Sequence, residues 1–453
     1  MSRLFGTDGV RGVANRELTP DLAYKLGVAG ARVLAGETSH KPLILIGSDT
    51  RISCGMLESA LTAGICSAGA DVIVCGVVPT PAVAYLTRKY RCDAGVVISA
   101  SHNSFEYNGI KFFSGDGFKL PDSIEDEIEN HIRDYDEGNW SRPEGADVGR
   151  RLEKPGAAHE YAEHLKRRMS VDLSSMKIAI DCANGASSMI APTLFADLGA
   201  EVIAIANQPD GLNINANCGS THMGCLKEIV VSEHCDIGLA FDGDADRLLI
   251  VDEFGQTVDG DAILAIVGLD MKTEGELHKD TVVVTVMSNL GLDIMAAGNG
   301  LKLEKTKVGD RYVLEMMREN GYNLGGEQSG HVILLDHSTT GDGMLTALAF
   351  LRVITRRNLP VSKVTDVIHV LPQVLKPAHI PTENKSKAMV DEMISEEICK
   401  MEAILDGRGR ILVRPSGTEP MIRVMIEGED YQMIDDMAQK LVELIISRYG
   451  SKK

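Results

Sequence analysis

Long apolar runs are missing from this 453-residue chain; none approaches the roughly 18 residues that a membrane-spanning helix needs. That excludes a helical membrane protein, and no membrane partner is expected. The opening MSRLFGTDGVRG carries no apolar leader, so the expected location is the cytoplasm. Positive charge is also scarce: 46 Lys and Arg stand against 65 Asp and Glu, a net charge of −19. Such a field repels phosphodiester backbones, so no nucleic-acid partner is expected, and an anionic small substrate must find a local positive patch. The nine cysteines are scattered, without a Cys-x-x-Cys pair, as reduced and mostly buried thiols would be. Cys218, His222 and Cys225 come together in CGSTHMGC, but their spacing fits no standard zinc knuckle. Buried thiols and a loop histidine are the better reading there.

What is present is a repeated α/β pattern on a chain long enough for about three domains. PLILIGSDTR, a helix over 56–67 and GADVIVCGVV form the first copy. KIAIDCANG, a helix over 188–198 and GAEVIAIAN form the second; TVVVTVMSN, a helix near 292–297 and GLKLEKTKVG form the third. Continuous Val/Ile-rich strands alternating with helices predict parallel sheets covered on both faces, with ligands bound beyond the carboxyl ends of the strands. The Gly/Pro-punctuated stretch 134–157 reads as a linker closing the first domain. From about 370 onward, strands such as RILVRPSG and MIRVMIEG alternate with amphipathic helices, which predicts a separate, smaller α+β domain.

Chemistry concentrates in the polar loops. In GVVISASHNSFEYNGIKFF, an apolar strand breaks at Ser101 and His102. A hydrolase triad is disfavoured, because adjacent His102 cannot readily turn back on the serine and no Gly-x-Ser-x-Gly elbow surrounds it. In AFDGDADRLLIVD, Asp242, Asp244 and Asp246 alternate and can converge on one hard divalent cation. An EF-hand is excluded by Arg247 at the position of its sharp-turn glycine. NLGGEQSGHVI places Glu327, Gln328 and Ser329 between Gly325-Gly326 and Gly330, open to a polar ligand. LVRPSGTEPMIRVM surrounds Ser416, Gly417 and Thr418 with Arg414 and Arg423, a phosphate-binding arrangement that is not a Walker loop. Arg11 in FGTDGVRG reads locally as an arginine on a surface turn.

Taken in order, FGTDGVRG, ISASHN, NGIKFF, DGDADR, GGEQSGH and RPSGTEPMIRVM resemble the motifs of the alpha-D-phosphohexomutase family across nearly the whole chain. The resemblance implies an α/β protein with three related α/β domains of mixed, largely parallel sheets. It adds a C-terminal α+β domain like that of TATA-box-binding protein, all around a central cleft. Expected domain limits are 1–153 for the phosphoserine loop, 154–254 for metal, 255–369 for sugar and 370–453 for phosphate. It further implies that Ser101 is a phosphoserine that passes its phosphoryl group to a hexose phosphate by way of a 1,6-bisphosphate. Ser101, Asp242, Asp244 and Asp246 would hold Mg²⁺. Lys111, Arg11 and His331 are candidates for proton transfer or charge stabilisation, with the choice among them open. Arg247, Glu327 and Ser329 would bind the sugar, and Arg414, Ser416, Gly417, Thr418 and Arg423 its distal phosphate. Gln328 favours an amino-sugar substrate (glucosamine 6-phosphate to glucosamine 1-phosphate, toward UDP-N-acetylglucosamine and cell wall) over glucose or mannose phosphates. A hexosamine or hexose 1,6-bisphosphate would serve as intermediate or activator; a homodimer is left open. One departure stands out: Ser104 occupies the place where the family usually has proline after Ser-His-Asn.

Overall fold

The computed structural model describes residues 3–6, 8–35, 40–138, 140–416 and 419–450. The first sheet is built from β1 (Val10–Val13), β2 (Leu43–Ser48), β3 (Asp71–Val77), β4 (Ala94–Ile98), β5 (Tyr107–Ser114) and β6 (Arg151–Glu153), in the order β1-β5-β4-β2-β3-β6. Its centre is parallel, and β5 runs antiparallel to β4 and β1. β4 is AGVVI, buried at every residue, as a strand covered on both faces requires. The helices Pro20–Ala35 and Cys54–Ser67 cross closely on one face: a Cβ on Gly64 would fall 2.1 Å from Tyr24 O, so only glycine fits.

The second sheet holds β7 (Lys177–Asp181), β8 (Glu201–Ile205), β9 (Ile237–Phe241), β10 (Leu248–Asp252) and β11 (Thr257–Val258), ordered β11-β10-β9-β7-β8. The third holds β12 (Thr281–Thr285), β13 (Lys302–Thr306), β14 (Leu324–Gly326) and β15 (Val332–Leu334), ordered β13-β12-β14-β15. Both combine a parallel core with antiparallel additions. A last antiparallel sheet, β16 (Gln373–His379), β17 (Gly409–Pro415) and β18 (Met421–Gly428), packs on the helices Glu392–Leu405 and Tyr431–Tyr449.

The fold divides into two compact units, Met1–Met287 with Leu301–Val367 and Ser288–Gly300 with Ile368–Lys453. Three expectations change. The stretch read as a linker is largely structured. Its first residues finish the helix Asp122–Asp136, β6 pairs parallel with β3, and Trp140 lies under Arg32 at 3.7 Å. The second repeat's helix is split into a 3-10 turn (Ala186–Met189) and an α-helix (Ala191–Asp197), with Pro192 fitted to the first turn of the latter. The third repeat's helix, Leu290–Gly298, forms but belongs to the C-terminal unit. There Asn289 Nδ2 donates to Leu371 O (3.0 Å), and buried Glu427 accepts from Leu290 N (3.0 Å). Among the described residues no helix is long and apolar enough to cross a membrane.

Candidate active site

The turns leaving the carboxyl ends of β4 and β9 meet. Ser101, left-handed at φ 52° and 2% exposed, donates from Oγ to Asp242 Oδ2 at 2.7 Å. Its amide donates to Ser99 Oγ (2.9 Å), which in turn donates to Asp49 (2.6 Å). The left-handed turn also overrules the reading of His102. Because the chain reverses at Ser101, His102 Nδ1 comes within 3.4 Å of Oγ. Burial, with Arg247 and Arg11 nearby, pushes this imidazole down to about 4, so it stands neutral.

Asp242, Asp244 and Asp246 are all buried, and each offers an oxygen within 4.8 Å of the others. Two sequence features permit this. Ala245 is left-handed at φ 55°, and Gly243 lies where a Cβ would fall 2.5 Å from Ser101 O. Burial, then the neighbouring Asp246 and Asp244, hold Asp242 well above the usual carboxylate range. Asp244 Oδ1 and Asp246 Oδ1 are buried without a hydrogen-bond partner. Three converging carboxylates with orphaned oxygens are what a hard divalent cation requires, so the residues fit such an ion. Among the described residues they are the one His/Cys/Asp/Glu cluster of this kind; Cys218, His222 and Cys225 do not form another.

Around the carboxylates runs an alternating chain of charge. Lys111, buried on β5, donates to Asp244 Oδ2 (3.0 Å) and lies 2.9 Å from Asp8. Asp8 also pairs with Arg11 and with Lys119 (2.7 Å), and Lys119 pairs with Asp310. His331 closes the chain, its Nδ1 3.5 Å from Asp246 and its Nε2 3.5 Å from Asp310. Gly341 makes room for that ring, since a Cβ would lie 2.4 Å from its Cε1. Burial works against the charged form throughout, but the partners win. Asp244 and Asp8 raise Lys111, and Asp246 and Asp310 raise His331, while Lys111 and Lys119 hold Asp8 low. Arg11 is not on a surface turn. It sits half-buried in β1 opposite Gly109 of β5, because the glycine-rich start pairs as an edge strand.

Arg247 lies 3.7 Å from Asp246 and 3.9 Å from Asp242. With Asp8, Arg11, His102, Glu327 and His331 it lines a cavity of about 350 Å³. A larger cavity of about 560 Å³, lined by Asp172, Glu253 and Leu359 among others, contains no cationic side chain and none of the motif residues. Glu327 is half-buried and accepts from Gly309 N (2.9 Å), Gln328 donates to Asp259 (3.1 Å), and Ser329 is exposed.

In the C-terminal unit, Arg414 and Arg423 are direct cross-strand partners on β17 and β18. Two like charges face to face destabilise a sheet unless an anion joins them. Arg423 has Glu419 at 2.7 Å, whereas Arg414 Nε is buried without a partner. Ser416 is buried beside them, and Lys385 donates to its carbonyl (2.7 Å). Gly417 and Thr418 lie outside the described residues. The sequence reading missed Asp8, Lys119, Asp310, Lys385 and Thr80, whose hydroxyl donates to Asp244 (2.7 Å). Asp8 alone had a signal, as part of the FGTDGVRG motif.

Four family profiles match in order. They are the Phosphoglucomutase/phosphomannomutase alpha/beta/alpha domain I over 2–139, domain II over 159–255, domain III over 259–370 and the C-terminal domain over 378–444. The chain belongs to the alpha-D-phosphohexomutase family. As a phosphohexomutase it is an intramolecular phosphotransferase of the isomerase class, in agreement with its relatives. The phosphoglucosamine mutase of Acetivibrio thermocellus is 56% identical, covering 99% of this chain and 100% of its own. That of Ruminiclostridium cellulolyticum is 57% identical over 99% and 100%. Among solved structures, a phosphoglucomutase/phosphomannomutase family protein of Burkholderia thailandensis superposes with a TM-score of 0.81 at 24% identity, covering 99% of both chains. The Aspergillus fumigatus N-acetylphosphoglucosamine mutase, solved with GlcNAc-6P and magnesium, gives 0.69 at 16% identity over 99% and 96%.

Proposed function

We propose that this phosphohexomutase interconverts glucosamine 6-phosphate and glucosamine 1-phosphate, with Ser101 carrying the phosphoryl group. The observation that carries the reading is Ser101 Oγ resting on Asp242 inside a trio of buried carboxylates, with Lys111 paired to Asp244 and with Arg11, Arg247 and His331 lining the cavity beside Asp246. The sugar hydroxyl attacks the phosphoryl group on Ser101. The new P–O bond forms as the bond to Oγ breaks, giving the 1,6-bisphosphate, whose other phosphate then returns to Ser101. The proton lost by the attacking hydroxyl balances the one Oγ regains. Lys111, Arg11 and His331, whose protonated form Asp246 and Asp310 favour, stabilise charge on the transferring group, while neutral His102 is a second acceptor near Oγ after Asp242. Asp242, Asp244 and Asp246, with Ser101, would hold Mg²⁺, which supplies positive charge to the phosphoryl oxygens.

Glu327 can pair with a 2-ammonium group, and Arg247 and Ser329 with sugar hydroxyls or phosphate oxygens. Arg414, Ser416 and Arg423, with Gly417 and Thr418, would grip the phosphate that is not reacting. The product is suited to a cytoplasmic route to UDP-N-acetylglucosamine. Steady-state rates on glucosamine, glucose and mannose 6-phosphates test the substrate: the highest kcat/KM is expected for glucosamine 6-phosphate. A higher value for either neutral sugar would reassign the chain to a phosphoglucomutase or phosphomannomutase of the same fold.

A further inference from the structure

The carbonyls of the turn after Ser101 point inward, and two side chains with no part in the chemistry above supply their donors. Arg51, buried beyond the carboxyl end of β2, gives Nη2 to Ser101 O (3.0 Å) and Asn103 O (2.8 Å). Its Nη1 serves Ser104 O and Tyr107 O (3.0 Å), and its Nε is paired with Asp49 (2.9 Å). From the loops of the second sheet, Asn215 Nδ2 donates to the same two carbonyls, Ser101 O and Asn103 O, each at 2.9 Å. Two acceptors facing one amide fix its orientation, nitrogen toward the turn.

The backbone delivering this amide is unusually strained. Asn215 is left-handed (φ 57°), as are Ala183 (54°), Asn184 (47°), Ala206 (45°) and Asn217 (54°) around it. Asn215 N donates to Ala183 O at 2.9 Å, which ties these loops together. Left-handed non-glycine residues cost energy and persist where the surroundings over-determine them, typically at functional sites. Gly243 seals the junction, since a Cβ there would fall 2.9 Å from Asn215 Nδ2 and 2.5 Å from Ser101 O. At position 104, meanwhile, the chain has an exposed serine instead of the stiffening proline, and among the described residues its amide N–H has no acceptor.

We propose that Asn215 is a positioning residue for Ser101: with Arg51 it holds the turn in the left-handed shape that aims Oγ, doing from outside what proline would do from within. This rests on Ser101 as the phosphoryl carrier. Asn215 binds backbone only, so its loss should slow transfer without weakening sugar binding.

The test is Asn215→Gly, which removes the amide while tolerating the positive φ. It is assayed beside wild type for kcat per phosphorylated subunit, KM and melting temperature. The expected result is an about 30-fold fall in kcat, equal to about 2 kcal/mol at about 1.4 kcal/mol per tenfold, with KM changed less than about threefold. Asn215→Asp, equal in shape but an acceptor facing two carbonyls, should lose at least as much. Adding Ser104→Pro to Asn215→Gly should recover several-fold of the lost kcat, because proline stiffens the turn independently. Unchanged kcat in Asn215→Gly, or a loss shared by KM and insensitive to Ser104→Pro, overturns the positioning role alone. A wild-type enzyme without phosphate on Ser101 overturns the phosphoserine reading and this inference with it.

Discussion

Lys119 is the keystone of the charge chain, and replacing it by methionine gives a perturbation whose size and sign both follow from the structure. The side chain is 12% exposed, 2.7 Å from Asp8 and paired with Asp310. Burial opposes its charge, but Asp310 and Asp8 outweigh that and raise its pKa. Methionine keeps the length and removes the cation, leaving two carboxylates facing a vacated charge. Breaking a buried ion pair costs about 3–5 kcal/mol. Here Asp8 retains Lys111 and Arg11, and Asp310 retains His331, so the lower end, about 3 kcal/mol, is expected at pH 7.5.

The pH dependence adds a second constraint. Asp8 and Asp310 are held below their unfolded values, so their contribution is full above the unfolded carboxylate range and is lost as pH falls through the folded values. The wild-type advantage over Lys119→Met should therefore persist down to about pH 4 and shrink only as pH falls further, through the lowered values of Asp8 and Asp310. The sole tryptophan, Trp140, packs under Arg32 of the helix Pro20–Ala35 and reports unfolding around that helix in urea by fluorescence. A stability difference below about 1 kcal/mol at pH 7.5, or one undiminished at about pH 2.5, would refute the reasoning.

Three further outcomes are expected. Tyr161→Phe removes the hydroxyl that donates to buried Asp342 at 2.6 Å, a carboxyl that burial pushes up to about 6. A raised carboxyl stabilises the fold at low pH and loses that contribution as pH rises through about 6, and Tyr161 offsets the loss. The variant should therefore cost about 1.5–3 kcal/mol at pH 8 and much less at pH 5, read by calorimetry. Arg423→Ala should raise KM for the 6-phosphate and the 1-phosphate by similar factors, because it removes binding common to both orientations; a one-sided effect in the two directions of assay would contradict a shared phosphate grip. Excess chelator should abolish turnover and added Mg²⁺ restore it, whereas undiminished turnover in chelator would remove the metal from the account.

Much of the site was legible because its chemistry sits in short contiguous motifs. Ser101 and the aspartates each follow a strand that its own apolar run announces, and a parallel sheet places such loops at one edge, whereas Glu327 follows the short strand Leu324–Gly326 and was marked only by its glycines. The residues that tie the site together were not legible. Asp8, Lys119 and Asp310 become neighbours only through sheet order and the approach of the third sheet to the first. Lys119 and Asp310 each read alone as an ordinary surface charge, and Asp8 stands out only as part of FGTDGVRG. Arg11 was misread because pairing with Gly109 extends the sheet to a stretch of sequence without strand character. His102 was misjudged because its reach depends on one left-handed φ at Ser101. The helix Leu290–Gly298 shows the strand–helix–strand pattern correctly, yet Asn289 and Glu427 assign it to the C-terminal unit, a choice made by tertiary contacts.

The central claim is that the phosphoryl group travels through Ser101, and a single-turnover experiment tests it most directly. Protein phosphorylated with ³²P is mixed with unlabelled glucosamine 6-phosphate, quenched at intervals, and both the sugar phosphates and the serine-containing peptide are analysed. The account predicts that label leaves the Ser101 peptide, appears first in glucosamine 1,6-bisphosphate and then in the monophosphates, while the serine regains unlabelled phosphate from the sugar. Label retained on Ser101 while glucosamine 1-phosphate accumulates, or released as inorganic phosphate, would contradict it.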